Sequence, residues 1–170
     1  MKMLKDMLEE CGAIKYGEFT LTSGKKSDYY VDIKLASTRP DILKEIAVQM
    51  AEHVDGDKIA GMELGAVPIA SAVSLETGLP FLMVRKKKKG HGTAGRIEGE
   101  FEEGDKVTVV EDVTTTGGSA VETVKVLREA GTEVEKVLVV VDRKESAEKR
   151  LEDVSVELIP LITADELVDE

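Results

Sequence analysis

Tryptophan is missing from this chain, and three tyrosines and three phenylalanines are its only aromatic residues. The core of a 170-residue chain must then be filled by Val, Ile, Leu, Ala and Met, which suits helices layered on a sheet. Cysteine occurs once, as Cys11, and a single thiol excludes both an internal disulfide framework and a cysteine metal cage. Cys11 itself reads as a small apolar residue near a helix end. There are four prolines and no Pro/Gly/Ser linker, repeat or low-complexity tract, so a single domain is expected over 1–170. Basic residues are in deficit, 23 against 34 acidic, for a formal charge of −11. An acidic surface repels a phosphate backbone, which excludes nucleic-acid binding as the main activity. No signal peptide and no apolar run of spanning length is visible, so a soluble cytoplasmic protein with no membrane partner is expected.

What is present has a clear order. Met3, Leu4, Met7 and Leu8 recur at helical spacing over residues 1–11, and Gly12 stops them. Residues 16–34 alternate apolar positions on both sides of Ser23-Gly24, which predicts two short strands. With the first helix they form a small hood (1–38) set before the core (39–170). A helix is expected from Asp41 to His53, with Ile42, Leu43, Ile46, Ala47 and Met50 on one face. There follow strand 58–62, helix 67–77, strand 80–85, strand 106–111, helix 118–130, strand 134–141, helix 145–151 and strand 154–160. Runs such as VTVV and VLVVV lack polar alternation, as strands buried on both faces of a parallel sheet do. The pattern predicts an α/β fold: a doubly wound, mostly parallel five-stranded sheet flanked by helices. Residues 86–104, KKKKGHGTAGRIEGEFEEG, do not fit it; a polar, glycine-rich loop of this length is expected to be functional or disordered.

Chemistry gathers in VTVVEDVTTTGGSA, residues 107–120. Ligands of an open parallel sheet bind outside the carboxyl ends of its strands, where Glu111 and Asp112 are expected. Two carboxylates there accept hydrogen bonds from vicinal hydroxyls or hold a divalent cation. Thr114 to Ser119 form a turn whose glycines let backbone amides approach a ligand, and the helix that begins there favours an anion. The combination fits a sugar phosphate, with the carboxylates on the diol and the turn on the phosphate. A bland reading makes the turn a plain helix cap and the two acids a solvated corner.

VVEDVTTTGGSA resembles the signature of the type I phosphoribosyltransferases. The resemblance implies that Glu111 and Asp112 take the ribose of 5-phosphoribosyl 1-diphosphate (PRPP). It implies too that Val113, Thr114, Thr115, Thr116, Gly117, Gly118 and Ser119 hold its 5-phosphate. Three further stretches, GEFTLTSGKKSDYYVD (17–32), VRKKKKGHG (84–92) and the DRKE that follows VLVVV, resemble the orotate phosphoribosyltransferases within that family. This likeness covers nearly the whole chain and implies transfer of the phosphoribosyl group of PRPP to orotate in pyrimidine biosynthesis. It assigns Arg85, Lys86, Lys89 and His91 to PRPP, and Thr115 and Arg143 to orotate. Lys89, His91 and Asp112 are the implied catalytic residues, and Lys87 and Lys88 receive no role. The segment of about 85–104 is the implied mobile loop, closing over the partner subunit's site in a homodimer. Mg2+ is expected to arrive with PRPP, with no direct protein ligand.

Charge argues in the same direction. A departing diphosphate gains negative charge, so cations above it favour the transition state. The planar guanidinium of Arg143 suits a fork of oxygens, although as a surface residue it would pair with Glu145. Tyr29 and Tyr30 are expected to wall the pocket, with only one touching the ring, because neighbouring strand residues point opposite ways. Two positions depart from the family. Thr22 stands where many relatives carry an orotate-binding lysine, and backbone amides, Lys25 or Lys26 are the alternatives for its role. GMELGAVPIA (61–70) resembles the family's diphosphate loop, which in some relatives includes a lysine; here Leu64 and Gly65 stand in that region. Gly65 is there either for the backbone amides of residues 63–66 to meet diphosphate or for tight packing. The rival functions are a purine phosphoribosyltransferase and a PRPP-binding regulator on the same fold. The acidic charge, and no segment to spare for a DNA-binding helix-turn-helix, weigh against the regulator.

Overall fold

A computed structural model of the chain describes residues 2–21, 23–87 and 95–168. Thr22, Lys88, Lys89, Gly90 and His91 lie outside the described residues, and with them the expected catalytic pair Lys89 and His91. Helix α1 (Leu4–Glu10) buries Leu4 and Leu8 one turn apart, and Gly12 at φ +79° closes it. Strands β1 (Ile14–Thr20) and β2 (Lys26–Val31) pair antiparallel, with Ile14 opposite Val31 and a register shift between Tyr16 and Phe19. Next comes a short helix that the sequence pattern does not announce, α2 (Ile33–Ser37). Its cap is Asp32, whose Oδ1 accepts from the Leu35 amide at 3.1 Å. Helix α3 (Pro40–Ala51) has Pro40 in its first turn and buries Ile42, Ile46, Ala47 and Met50.

The core alternates β3 (Lys58–Met62), α4 (Ala66–Thr77), β4 (Phe81–Val84), β5 (Ile97–Glu98), β6 (Lys106–Thr114), α5 (Gly118–Glu129), β7 (Glu133–Asp142), α6 (Ala147–Glu152), β8 (Glu157–Thr163) and α7 (Ala164–Val168). Sheet order is β5-β4-β3-β6-β7-β8. Five of these strands run parallel, as expected, and β5 adds a sixth, antiparallel, edge strand. The connections run one way from β3 to β4 and the other way from β6 to β8. The order therefore reverses between β3 and β6, and a crevice opens at their carboxyl ends.

Apolar side chains cover both sheet faces. One cluster joins Val110, Leu138 and Val140 to α1, α3 and α4; the other joins Val109 and Val137 to α5 and Leu151 of α6. Residues 137–141 are fully buried, which explains the unbroken VLVVV run. Two strands, β6 and β8, differ from the sequence reading by three residues. Strand β6 continues to Thr114, because Val113 and Thr114 stay in the ladder opposite Val141 and Asp142. Strand β8 begins three residues late: Ser155 takes φ 59°, the Val156 amide bonds back to Leu151 O, and Arg128 Nη1 donates to Val154 O at 2.6 Å.

The flanks of the expected mobile loop are fastened. Ile97 and Glu98 pair with β4, and Phe101 packs on the second cluster. Arg96 donates to Arg85 O (2.9 Å), Lys86 O (2.7 Å) and Glu122 (2.8 Å), tying the two ends of the segment together. The loop expected over about 85–104 is thus pinned from residue 95 onward.

Candidate active site

Glu111 and Asp112 leave opposite faces of β6, as consecutive strand residues must. Glu111 is 6% exposed and lies beside Ser119 at the start of α5. Burial pushes its carboxyl up to about 8, and the charge of Asp112 next to it adds to the rise. Asp112 turns toward α2 and α4. Its Oδ1 accepts from the Val113 amide at 2.9 Å, and its Oδ2 lies 3.4 Å from Lys34 Nζ. The loop after β3 presses on the same oxygen: a Cβ at Gly65 would stand 2.1 Å from Asp112 Oδ2. The packing reading of Gly65 is the one seen here. The residue is required for packing, and what it packs against is a carboxylate of the site. Glu63 Oε1 accepts the Lys86 amide at 2.9 Å, which ties this loop to the foot of the basic segment.

The turn after β6 is built around Gly117. Its φ is +78°, and a Cβ there would lie 2.9 Å from Ala147 Cα, so only glycine fits. Among the described residues, no acceptor takes the backbone amides of 115–119, and they open at the N-terminus of the 12-residue helix α5. Unpaired amides and the helix dipole together make an anion seat. Thr115, Thr116 and Ser119 present exposed side chains beside it. Thr114 does not: its side chain is buried, and Oγ1 donates to Asp142 Oδ1 at 2.9 Å. The Arg143 amide bonds to Thr114 O at 2.9 Å and the Ser146 amide to Thr115 O at 3.3 Å. The turn and the segment after β7 are thereby riveted together.

That segment forms one wall of a cavity of about 360 Å³, lined among others by Lys25, Tyr30, Val113, Thr115, Thr116 and Arg143. Arg143 donates to Ser27 Oγ at 3.0 Å and stacks 4.3 Å from the Tyr29 ring centre. Its Nε is buried with no hydrogen-bond partner among the described residues. Glu145 pairs with Lys25 at 3.7 Å rather than with Arg143. The two tyrosines divide as strand geometry requires: Tyr30 lines the cavity and Tyr29 holds the guanidinium.

Of the residues expected in the site, Glu111, Asp112, Val113, Thr115, Thr116, Gly117, Gly118, Ser119 and Arg143 come together around one crevice. Arg85 and Lys86 stand at its margin; Arg85 Nε is engaged 2.9 Å from Glu98 Oε1, and Lys86 is exposed. Lys34 and Asp142 were not singled out by sequence. Lys34 sits on a helix too short to show a period, and Asp142 looks like the polar end of an apolar strand.

Comparisons with known proteins agree with this geometry. The phosphoribosyl transferase domain family matches residues 37–168. The orotate phosphoribosyltransferase of Methanocaldococcus jannaschii is 56% identical over 166 residues, 96% of this chain and 94% of its own. A crystal structure of orotate phosphoribosyltransferase from Aeropyrum pernix is 32% identical with a TM-score of 0.86, the match covering 98% of this chain and 97% of that one. The Mycobacterium tuberculosis orotate phosphoribosyltransferase in complex with PRPP is 30% identical with a TM-score of 0.79, over 96% of this chain and 98% of its own.

Proposed function

The chain belongs to the phosphoribosyl transferase family and, within it, to the orotate phosphoribosyltransferases, and from that premise we propose how its crevice is used. The enzyme transfers the phosphoribosyl group of PRPP to orotate, giving orotidine 5′-monophosphate and diphosphate in pyrimidine biosynthesis. One observation carries the assignment of roles: Thr115 and Thr116 of the anion-binding turn line the same cavity as Arg143. Donor and acceptor seats are therefore contiguous, as a direct transfer between two bound substrates requires.

PRPP lies along the carboxyl edge of the sheet. Its 5-phosphate takes the open amides of 115–119 and the hydroxyls of Thr115, Thr116 and Ser119. The ribose hydroxyls donate to Glu111 and Asp112. Its diphosphate rests against residues 63–66, with Arg85 and Lys86 beside it. Orotate occupies the cavity, where the Arg143 guanidinium meets its planar oxygens and Thr115 adds a hydroxyl. Lys25 lines this cavity and Lys26 does not, so Lys25 takes the place of the lysine replaced by Thr22.

A ring nitrogen of orotate, its proton released to solvent, attacks C1 of the ribose, and the bond to diphosphate breaks with its electron pair leaving on the diphosphate oxygen. No protein nucleophile is needed. Asp112 offsets positive charge growing on the ribosyl centre, and Arg85, Lys86, Lys89 and His91 offset negative charge growing on diphosphate. Lys89 and His91 come from the neighbouring subunit of a homodimer, whose loop closes over this crevice. Mg2+ would arrive with PRPP, and Glu111 and Asp112 are the carboxylates that would stand beside it. Bound there, it would supply positive charge against the departing diphosphate. An absorbance assay with orotate, PRPP and Mg2+, run beside hypoxanthine, adenine and uracil, tests the assignment. Turnover of orotate alone is expected, and turnover of a purine without orotate would refute it.

A further inference from the structure

The loop that would carry the diphosphate, residues 61–70, contains no lysine or arginine. A diphosphate laid on it would meet amides on one side and the Asp112 carboxylate on the other, an arrangement short of positive charge. A cation does stand there, supplied by another element. Lys34, on the five-residue helix α2, places Nζ 3.4 Å from Asp112 Oδ2. That same oxygen is the one against which Gly65 of the diphosphate loop is packed, close enough that a Cβ at Gly65 would stand 2.1 Å away. One carboxylate oxygen thus touches both the Lys34 ammonium and the loop backbone.

We infer that Lys34 is a diphosphate-contacting residue of this enzyme, supplying from α2 the side-chain cation that its diphosphate loop lacks. This rests on the reading of the crevice as a PRPP site. Three observations carry it. The first is the shared oxygen, which puts the ammonium at the junction of ribose and diphosphate seats. The second is availability: the Lys34 side chain is 60% exposed, while Asp112 is 13% exposed, so beyond its contact with Asp112 the ammonium is open to solvent and to a ligand. Lysine has three donors and can keep Asp112 while bonding a phosphate oxygen. The third is how α2 is held. Asp32 caps it, and Ile33 and Ala36 are buried in the main cluster, so the helix presents Lys34 from a fixed base. As the bond to C1 breaks, charge on the diphosphate grows, and an ammonium at this place gains more in the transition state than in the ground state.

The test compares ligands with and without a diphosphate. Lys34→Met keeps the length of the side chain and removes the charge; Lys34→Arg keeps the charge. Calorimetric affinities for pyrophosphate, PRPP and ribose 5-phosphate are measured on each protein, with kcat for the forward reaction. The inference expects Lys34→Met to lose about tenfold or more in affinity for pyrophosphate and PRPP, to keep ribose 5-phosphate within about twofold, and to drop in kcat. Lys34→Arg should recover most of the loss. A loss for ribose 5-phosphate as large as that for PRPP would make Lys34 only the counter-ion of Asp112 and overturn the inference. So would unchanged affinities in Lys34→Met when the wild type binds all three ligands. Wild-type protein that bound neither pyrophosphate nor ribose 5-phosphate would overturn the PRPP site itself, and Lys34 with it.

Discussion

Replacing Glu111 by glutamine should make the ligand-free protein more stable, and by an amount that depends on pH. Burial and the neighbouring Asp112 raise the Glu111 carboxyl from 4.5 to about 8. Between those values the folded chain holds a proton that the unfolded chain has released. Stability must then fall as pH rises through this window, at up to ~1.4 kcal/mol per pH unit. The full loss above pH 8 is about 3–5 kcal/mol, taking the whole shift as its upper end. Glu111→Gln keeps a neutral side chain of the same shape at every pH. Near pH 4.5 the variant should match the wild type, and by pH 8–9 it should exceed it by about 3–5 kcal/mol. Urea unfolding of both proteins at pH 4.5, 6, 7.5 and 9 measures the difference, and taking the difference removes the titrating groups that do not interact with Glu111. The same proton should appear in binding. A ribose hydroxyl donates to an ionised carboxylate, so PRPP should displace up to one proton at pH 7, visible as a buffer-dependent heat in calorimetry. Two stability curves that stay parallel across the window would refute the argument, and so would a wild type that gains on the variant as pH rises.

Three further substitutions probe other parts of the crevice. Arg143→Lys loses the planar fork and the stack on Tyr29, and should raise KM for orotate about 10- to 100-fold while leaving PRPP affinity unchanged; steady-state kinetics with each substrate varied in turn would show equal losses if the acceptor seat were elsewhere. Gly65→Ala drives a methyl group into Asp112 Oδ2, so thermal unfolding should reveal a cost of about 1–3 kcal/mol, and kcat/KM for PRPP should fall further than affinity for orotate. Lys89→Ala should lower kcat far more than it weakens PRPP binding. Mixed with inactive Asp112→Ala under subunit exchange, it should regain activity through hybrid dimers, and hybrids that form without any recovery would place the loop in its own subunit's site.

The candidate donor site was legible because it is local. Strand, acids, glycines and helix start follow one another within residues 107–120, and each step has a physical reason that shows in composition. The reading still misjudged where the strand stops. Val113 and Thr114 look like the start of a turn, yet the ladder to β7 holds both, and it turns the Thr114 hydroxyl inward to Asp142. Long-range pairing outweighed local turn chemistry there. The candidate acceptor site was legible only in part, since Arg143 stands there beside Tyr30 and is held by Ser27 and Tyr29, all of the hood and more than 100 positions away. Helix α2 was missed because five residues cannot display a helical period, and Lys34 went with it. Strand β5 is two residues long and owes its existence to its neighbour β4 rather than to its own sequence.

The charge of the chain poses a last question, because a protein of formal charge −11 binds two anionic substrates. Distance resolves it. At physiological ionic strength exposed charges are screened beyond about 8 Å, so the acids spread over the surface weigh little in the crevice and the groups that line it weigh most. There basic residues stand beside the acids. Lys25, Lys34, Arg85, Lys86, Arg143 and Arg150 stand on the crevice or its rim, drawn from several parts of the chain, and Arg150 donates to Thr116 O in the anion-binding turn. The proton on buried Glu111 removes one negative charge from the ligand-free site. A long nucleic-acid backbone must lie across many such acids and is repelled, whereas a single PRPP reaches only the crevice. The acidity that excludes one kind of phosphate ligand is therefore compatible with the other, and the few basic residues of this sequence matter through where the fold collects them.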